Sequence, residues 1–285
     1  MKIKSLYPFF LVLPAWGYLI AFTVFPTAYN WWLSFMDWYF ANPLGPSYIG
    51  LEGFKNLIYD PIFHYSLITT LIYTFGVTLL ELIIGLSLAL LATQEFRGRR
   101  LFRTLLILPI AITPVAVGLT WKVLLNTDGI VNFLLKIIGL KPISWFAYPT
   151  TALYSLMLVD AWQWSPFIAL SIIAAFEALP IPPIEAAIID GASYWQQIRY
   201  IKLPLIKDVL TIALMFRLCD AFKTFDIIFA ITGGGPANAT QTLAIYTYYN
   251  AFYWLLMGNA GRLCTFIFYF SFVIVYILAR RIKVE

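Results

Sequence analysis

The chain has 285 residues, of which 61% are hydrophobic, 18% aromatic and only 12% charged, with a formal net charge of +5. With a mean hydropathy of +0.82, this composition leaves too little polar surface to clothe a water-soluble globule, so the chain needs lipid as a solvent. The basic excess would suit a nucleic-acid surface, but its placement along the chain is topological.

About 20 apolar residues cross a bilayer as a helix, because only a closed ladder of backbone hydrogen bonds is tolerated in hydrocarbon. On that rule the sequence predicts an all-α integral membrane protein, a single domain over 1–285 with six transmembrane helices near 8–34, 64–93, 102–125, 150–176, 205–231 and 259–280. Lys2 and Lys4 precede the first apolar run in the manner of a secretory signal. The run is too long for that, however, and passes Pro14, Gly17 and Pro26 into an aromatic belt at Trp31, Trp32, Trp38 and Tyr39 without a small-residue cleavage site. His64 stands where a loop meets the second span and has no second His, Cys or clustered carboxylate with which to hold a metal.

Arg97, Arg99, Arg100 and Arg103 separate spans two and three, Arg199, Lys202 and Lys207 separate four and five, and Arg280, Arg281 and Lys283 follow six. The opposite side holds only Lys55, Lys136 and Lys141, with Lys122 near its boundary. By the positive-inside rule both termini of this multi-pass chain are cytoplasmic. Tyr246, Tyr248, Tyr249, Phe252, Tyr253 and Trp254, ahead of the last span, read as a second interfacial belt. Cys219 and Cys264 both fall in apolar segments and read as small buried hydrophobes.

Ionisable residues inside spans are costly and need a partner, a cavity or a function. Glu81, Asp160, Arg217, Asp220, Lys223 and Arg262 qualify, with Asp226 nearer the outside. Asp160, Gln163 and Trp164 share one face of span four and would suit a sugar, whose hydroxyls need paired donors and acceptors and whose C–H faces stack on rings; helix-to-helix hydrogen bonding is the alternative. On span five Arg217, Asp220, Lys223 and Asp226 alternate in sign at intervals of three, so that each can pair with the next. Successive members rotate by about 60° at 3.6 residues per turn, which leaves Arg217 and Asp226 on opposite faces, so all four cannot line one cavity. Arg217 and Asp220 are then the better candidates for touching a substrate, with Lys223 and Asp226 partly structural. For Arg262 a salt bridge to span five and a ligand contact both stand open.

Between spans four and five, residues 177–204 contain a short helix marked at both ends. Pro182 and Pro183 suit its first turn, Glu185 would complement the helix dipole there, and Gly191 can take the left-handed conformation that stops it. Ile184, Ala187 and Ile188 share one face, free either to receive a partner or to tuck under the chain's own helices.

Glu185-Ala186-Ala187, Asp190-Gly191-Ala192 and then Ile201, Leu203 and Pro204 resemble the EAA loop of permease subunits in binding-protein-dependent ABC importers. Ile198 departs from that pattern, standing where the family usually has an aromatic residue, although both fill an apolar slot. Phe225-Asp226, Thr232-Gly233-Gly234-Gly235-Pro236, Ala239-Thr240, Thr242-Leu243 and Ala251-Phe252 are similar to the first-type permease of the carbohydrate importers, the class that includes maltose, trehalose and glycerol-phosphate systems. Milder similarity at Pro26, at Gly50 to Phe54 and at Leu108-Pro109 extends the resemblance over nearly the whole chain.

The resemblance implies a type I ABC importer permease fold in the plasma membrane of a prokaryote. A second homologous permease would lie alongside, two cytoplasmic ATPase subunits beneath, and an extracytoplasmic sugar-binding protein outside. In that family the EAA loop carries the coupling helix that sits in a groove of the ATPase, which assigns Glu185, Ala186, Ala187, Asp190, Gly191, Ala192, Ile198, Leu203 and Pro204 to coupling. Asp160, Gln163, Trp164, Arg217, Asp220 and Lys223 are the candidates for the substrate path. The chain itself is then non-catalytic and holds no cofactor. No G-x-x-x-x-G-K-[ST] phosphate loop occurs in it, so ATP and Mg belong to the partner ATPase. An ion-coupled secondary transporter or a homo-oligomeric channel would also use intramembrane charges, but neither explains the EAA loop.

Overall fold

Four helices in the computed structural model, which describes residues 7–280, are long and apolar enough to cross a bilayer: Leu11–Ser34, Pro61–Thr93, Pro149–Glu177 and Met257–Ala279. Each coincides with an expected span to within a few residues. Residues 1–6 and 281–285, and with them Lys2, Lys4, Arg281 and Lys283, lie outside the described part.

The other two expected spans are not continuous helices. Near 102–125 the chain forms α5 (Arg99–Leu105), α6 (Leu108–Ala111) and α7 (Pro114–Leu124), and the segments Arg99–Ala111 and Pro114–Leu124 meet at 99°, a fifth candidate crossing if the bent pair counts as one span. Pro114 explains the bend: it opens α7, and the residue before a proline is pushed towards extended backbone, as Thr113 is at φ −63°, ψ 140°. Near 205–231 the chain forms α12 (Leu203–Leu205), α13 (Lys207–Phe222) and α14 (Asp226–Ile231), leaving residues 223–225 outside any helix. No proline causes that break. The Thr224 hydroxyl donates to the carbonyl of Asp220 at 3.2 Å, a local side-chain bond of the kind that competes with helix propagation.

Two compact units partition the chain, each assembled from separate segments: residues 7–64 with 246–269, and 65–245 with 270–280. In the first, α1 (Tyr7–Leu19) and α2 (Phe25–Ser34) are joined through a π-helical turn at Ile20–Val24. A short antiparallel hairpin follows, β1 (Met36–Asp37) with β2 (Ser47–Tyr48), in a chain otherwise helical as expected. Asn30 donates to Thr265 at 3.0 Å and Trp31 stacks on Tyr269, ring planes 9° apart.

In the second unit the axis is α9 (Pro149–Glu177), 67% of whose apolar stretch is buried, twice the share in α4 (Pro61–Thr93). Ala89, Ala92, Ile168, Ile172, Ile206 and Ala213 belong to one buried apolar cluster in it, where the alanines allow close approach. Gly85 marks a close approach of α4 to α9. A β-carbon there would lie 2.8 Å from the Ser165 carbonyl oxygen, so α4 and α9 meet at a distance only glycine permits.

Candidate functional site

Within the second unit the intramembrane charges converge. Arg217 on α13 is 2% exposed, and Glu81 on α4 and Asp160 on α9 are almost wholly buried beside it. Its Nε donates to Glu81 Oε2 at 2.7 Å and its Nη2 to Glu81 Oε1, a bidentate fork. Nη1 donates to Asp220 at 2.7 Å and Nη2 reaches Asp160 at 3.4 Å. The second oxygen of Asp160 accepts from the Tyr73 hydroxyl at 2.7 Å. The Trp164 ring lies under the guanidinium, 4.8 Å from its centroid. One cation thus organises three carboxylates from three helices, and two of them, Glu81 and Asp160, are buried with it and depend on it for pairing, whereas Asp220 is partly exposed.

Beside this cluster lies a half-open cavity of about 210 Å³, lined among others by Asp160, Trp164, Asp220, Lys223 and Asp226. It sits where α13 gives way to α14. Non-helical backbone at membrane depth is tolerated where it lines a cavity, and residues 223–225 do so. Lys223 Nζ stands 3.9 Å from Asp220 Oδ1.

Four of the six residues expected on a substrate path therefore share one cavity. Arg217 does not line it; the guanidinium is spent behind Trp164 on the ion cluster. Gln163 is elsewhere too, fully buried, its Nε2 donating at 2.8 Å to the Ile112 carbonyl released by the bend before α7. Asp226 lies at the same cavity as Asp220 and Lys223, just beyond the break at 223–225, while Arg217 does not line it. Arg262 donates through Nη1 to the Met36 carbonyl of the hairpin at 2.9 Å. Sequence reasoning flagged Glu81 but not its partnership with Arg217, and passed over Tyr73, because a lone tyrosine in an apolar run gives no signal of what its hydroxyl meets.

In the loop 177–204, α10 (Ile181–Ile189) is followed by Asp190 and by Gly191 at φ +75°, the left-handed stop expected. Glu185 is not in the first turn. Pro180 caps α10, Pro182 and Pro183 fill that turn, and Glu185 falls in the next, too far along to meet the free N–H groups. Ala187 is buried against the chain and Ile184 half-buried, whereas Ile181, Ile188 and Ile189 are exposed, as are Glu185, Ala186 and Asp190. Ala192 is half-buried, and α11 (Tyr194–Gln197) opens with a capping box between Ser193 and Gln196. Ile198 is buried, Leu203 half-buried and Pro204 exposed. At the root of the loop Arg103 and Arg99 both approach Glu177, while their Nε atoms both donate to the Ala92 carbonyl.

Residues 81–284 match the family model described as the binding-protein-dependent transport system inner membrane component. The trehalose/maltose transport system permease protein MalF of Thermococcus litoralis is 33% identical over 278 residues, covering 96% of this chain and 94% of the relative. The sulfoquinovosyl glycerol transport system permease protein SmoG of Agrobacterium fabrum is 33% identical over 276 residues, covering 96% and 90%. Among solved structures, a chain of a bacterial ABC transporter involved in the import of the acidic polysaccharide alginate superposes with a TM-score of 0.85 at 23% identity, covering 99% of this chain and 98% of that one.

Proposed function

Because the chain belongs to the family of binding-protein-dependent transport system inner membrane components, we propose that it is the sugar-conducting permease subunit of an ATP-driven importer. It works beside a second, homologous permease, takes its sugar from an extracytoplasmic binding protein and is driven by two cytoplasmic ATPase subunits that hold ATP and Mg. Both termini and the loop 177–204 face the cytoplasm, and six crossings are completed by the broken segments around α5–α7 and α13–α14. Relatives named for trehalose, maltose and sulfoquinovosyl glycerol support a sugar as cargo.

The observation that carries this reading is the surface of the loop. Ile181, Ile188 and Ile189 on α10 are 65%, 59% and 85% exposed and Trp195 on α11 is 67% exposed, on two short helices between candidate spans rather than within one. Large apolar side chains gathered on a loop mark an interaction surface, and a permease without a phosphate loop of its own takes its driving force from an ATPase, which that surface is placed to meet. A secondary transporter or a channel leaves that surface without a purpose.

The test is reconstitution with the binding protein, the second permease and the ATPase, followed by uptake of a labelled trehalose or maltose. Uptake is expected only with ATP and only when all subunits are present. Uptake by this chain alone, driven by an ion gradient, would overturn the proposal.

A further inference from the structure

We infer that this chain's wall of the path admits neutral sugars and rejects anionic ones such as uronates and sugar phosphates. The inference rests on the importer reading and narrows its substrate class. Its basis is the distribution of charge around the cavity at the break between α13 and α14.

Arg217, which an anion would seek first, offers nothing to the opening: it is 2% exposed, its donors go to Glu81, Asp160 and Asp220, and Trp164 lies against its face. What the cavity presents is Lys223 against Asp220 and Asp226, with Asp160 at its buried side. Lys223 is itself turned towards Asp220 at 3.9 Å. Taken formally, the carboxylates of Glu81, Asp160, Asp220 and Asp226 outnumber the cations Arg217 and Lys223 by about two charges.

An entering carboxylate or phosphate would meet one accessible cation, Lys223, 3.9 Å from Asp220, and with it three carboxylates, those of Asp160, Asp220 and Asp226. Specificity of this kind works by repulsion as much as by attraction. A neutral sugar meets no such penalty, since its hydroxyls donate to the carboxylates and its ring can lie on Trp164.

Two measurements test this separately from the importer reading. In the assembled complex, with Cys219→Ser and Cys264→Ser removing the native thiols, Thr224→Cys places a thiol in the cavity lining. Its modification by a cationic methanethiosulfonate should exceed that by an anionic one by about tenfold, after normalisation to Leu44→Cys on the exposed tip of the hairpin. Equal rates, a preference for the anionic reagent, or no reaction with either would overturn the inference. In proteoliposomes carrying the binding protein, a neutral oligosaccharide should enter about tenfold faster than its derivative oxidised to a terminal carboxylate, and Asp226→Asn should narrow the gap. Equal entry of the two would also overturn it. If neither sugar enters while the labelling asymmetry persists, the importer reading fails and the charge of the cavity stands.

Discussion

Removing the Arg217 guanidinium leaves the Glu81 carboxylate buried without its bidentate partner and takes the cation from buried Asp160 as well. Arg217→Met is therefore expected to destabilise the protein by roughly 3–5 kcal/mol, read as a lowered thermal midpoint of the purified complex. The double variant Arg217→Met with Glu81→Met should be less damaged than the single one, because it removes both ends of the bidentate pair. An unaltered midpoint in Arg217→Met would show that the cluster contributes nothing. Outside the spans, Tyr246 donates to Asp60 at 2.5 Å. Burial, with help from that carboxylate, pushes its hydroxyl from the ordinary value of 10.0 up to about 12. A raised folded-state value favours the protonated, folded form, so this contribution is fully present below pH 10 and disappears as pH rises from there through about 12. Tyr246→Phe should accordingly be less stable than wild type at neutral pH, and the difference between their thermal midpoints should close above pH 10; a constant difference would refute the assignment. At this scale the sequence shows which charges are anomalous but not their partners. Glu81 and Arg217 are separated by 136 positions, and only packing of α4 on α9 and α13 brings them together.

Elements were legible where apolar length alone decides. The expected spans at 64–93 and 150–176 agree with Pro61–Thr93 and Pro149–Glu177 because a long charge-poor run has no alternative to a helix in lipid. The breaks were not legible, since hydropathy averaged over 20 residues passes unchanged through Ile112 and through Thr224-Phe225, and what decides is where the released backbone finds partners. Gln163 supplies one such partner, capping the Ile112 carbonyl from α9. Gln163→Glu keeps the shape and replaces that donor by an acceptor, so it is expected to cost about 1–3 kcal/mol and to accelerate amide hydrogen exchange over residues 115–118, at the start of α7. Gln163→Leu should be milder, because it also removes the Gln163 Oε1 atom, which is buried without a partner. Unchanged protection in Gln163→Glu would mean that the bend is held by something else.

For the whole molecule, membership of the family was legible from short motifs, above all the stretch from Glu185 to Pro204, because fixed residues at fixed offsets carry more information than hydropathy alone. The exposed isoleucines of α10 were not, since the residues of a short helix divide between the chain and its partner only once the helix is docked. Gly191 joins the two aspects. Its φ of +75° is strained for any residue with a β-carbon, yet a β-carbon there would meet nothing within 4 Å. Substitution therefore tests backbone conformation without adding a steric clash. Gly191→Val should cost about 1 kcal/mol or more locally, either extending α10 or re-aiming the exposed Ile188 and Ile189 relative to the ATPase. The binding protein's affinity for sugar should be unchanged, because it resides on another chain, while substrate-stimulated ATP hydrolysis and uptake should fall together. Gly191→Asn should retain most of both activities, since asparagine tolerates the left-handed conformation. Co-purification first establishes that each complex assembles, after which both activities are measured in reconstituted membranes. Wild-type stimulation in Gly191→Val would remove the loop from the coupling path, and equal loss in the Val and Asn variants would show that the side chain rather than the turn is what the partner reads.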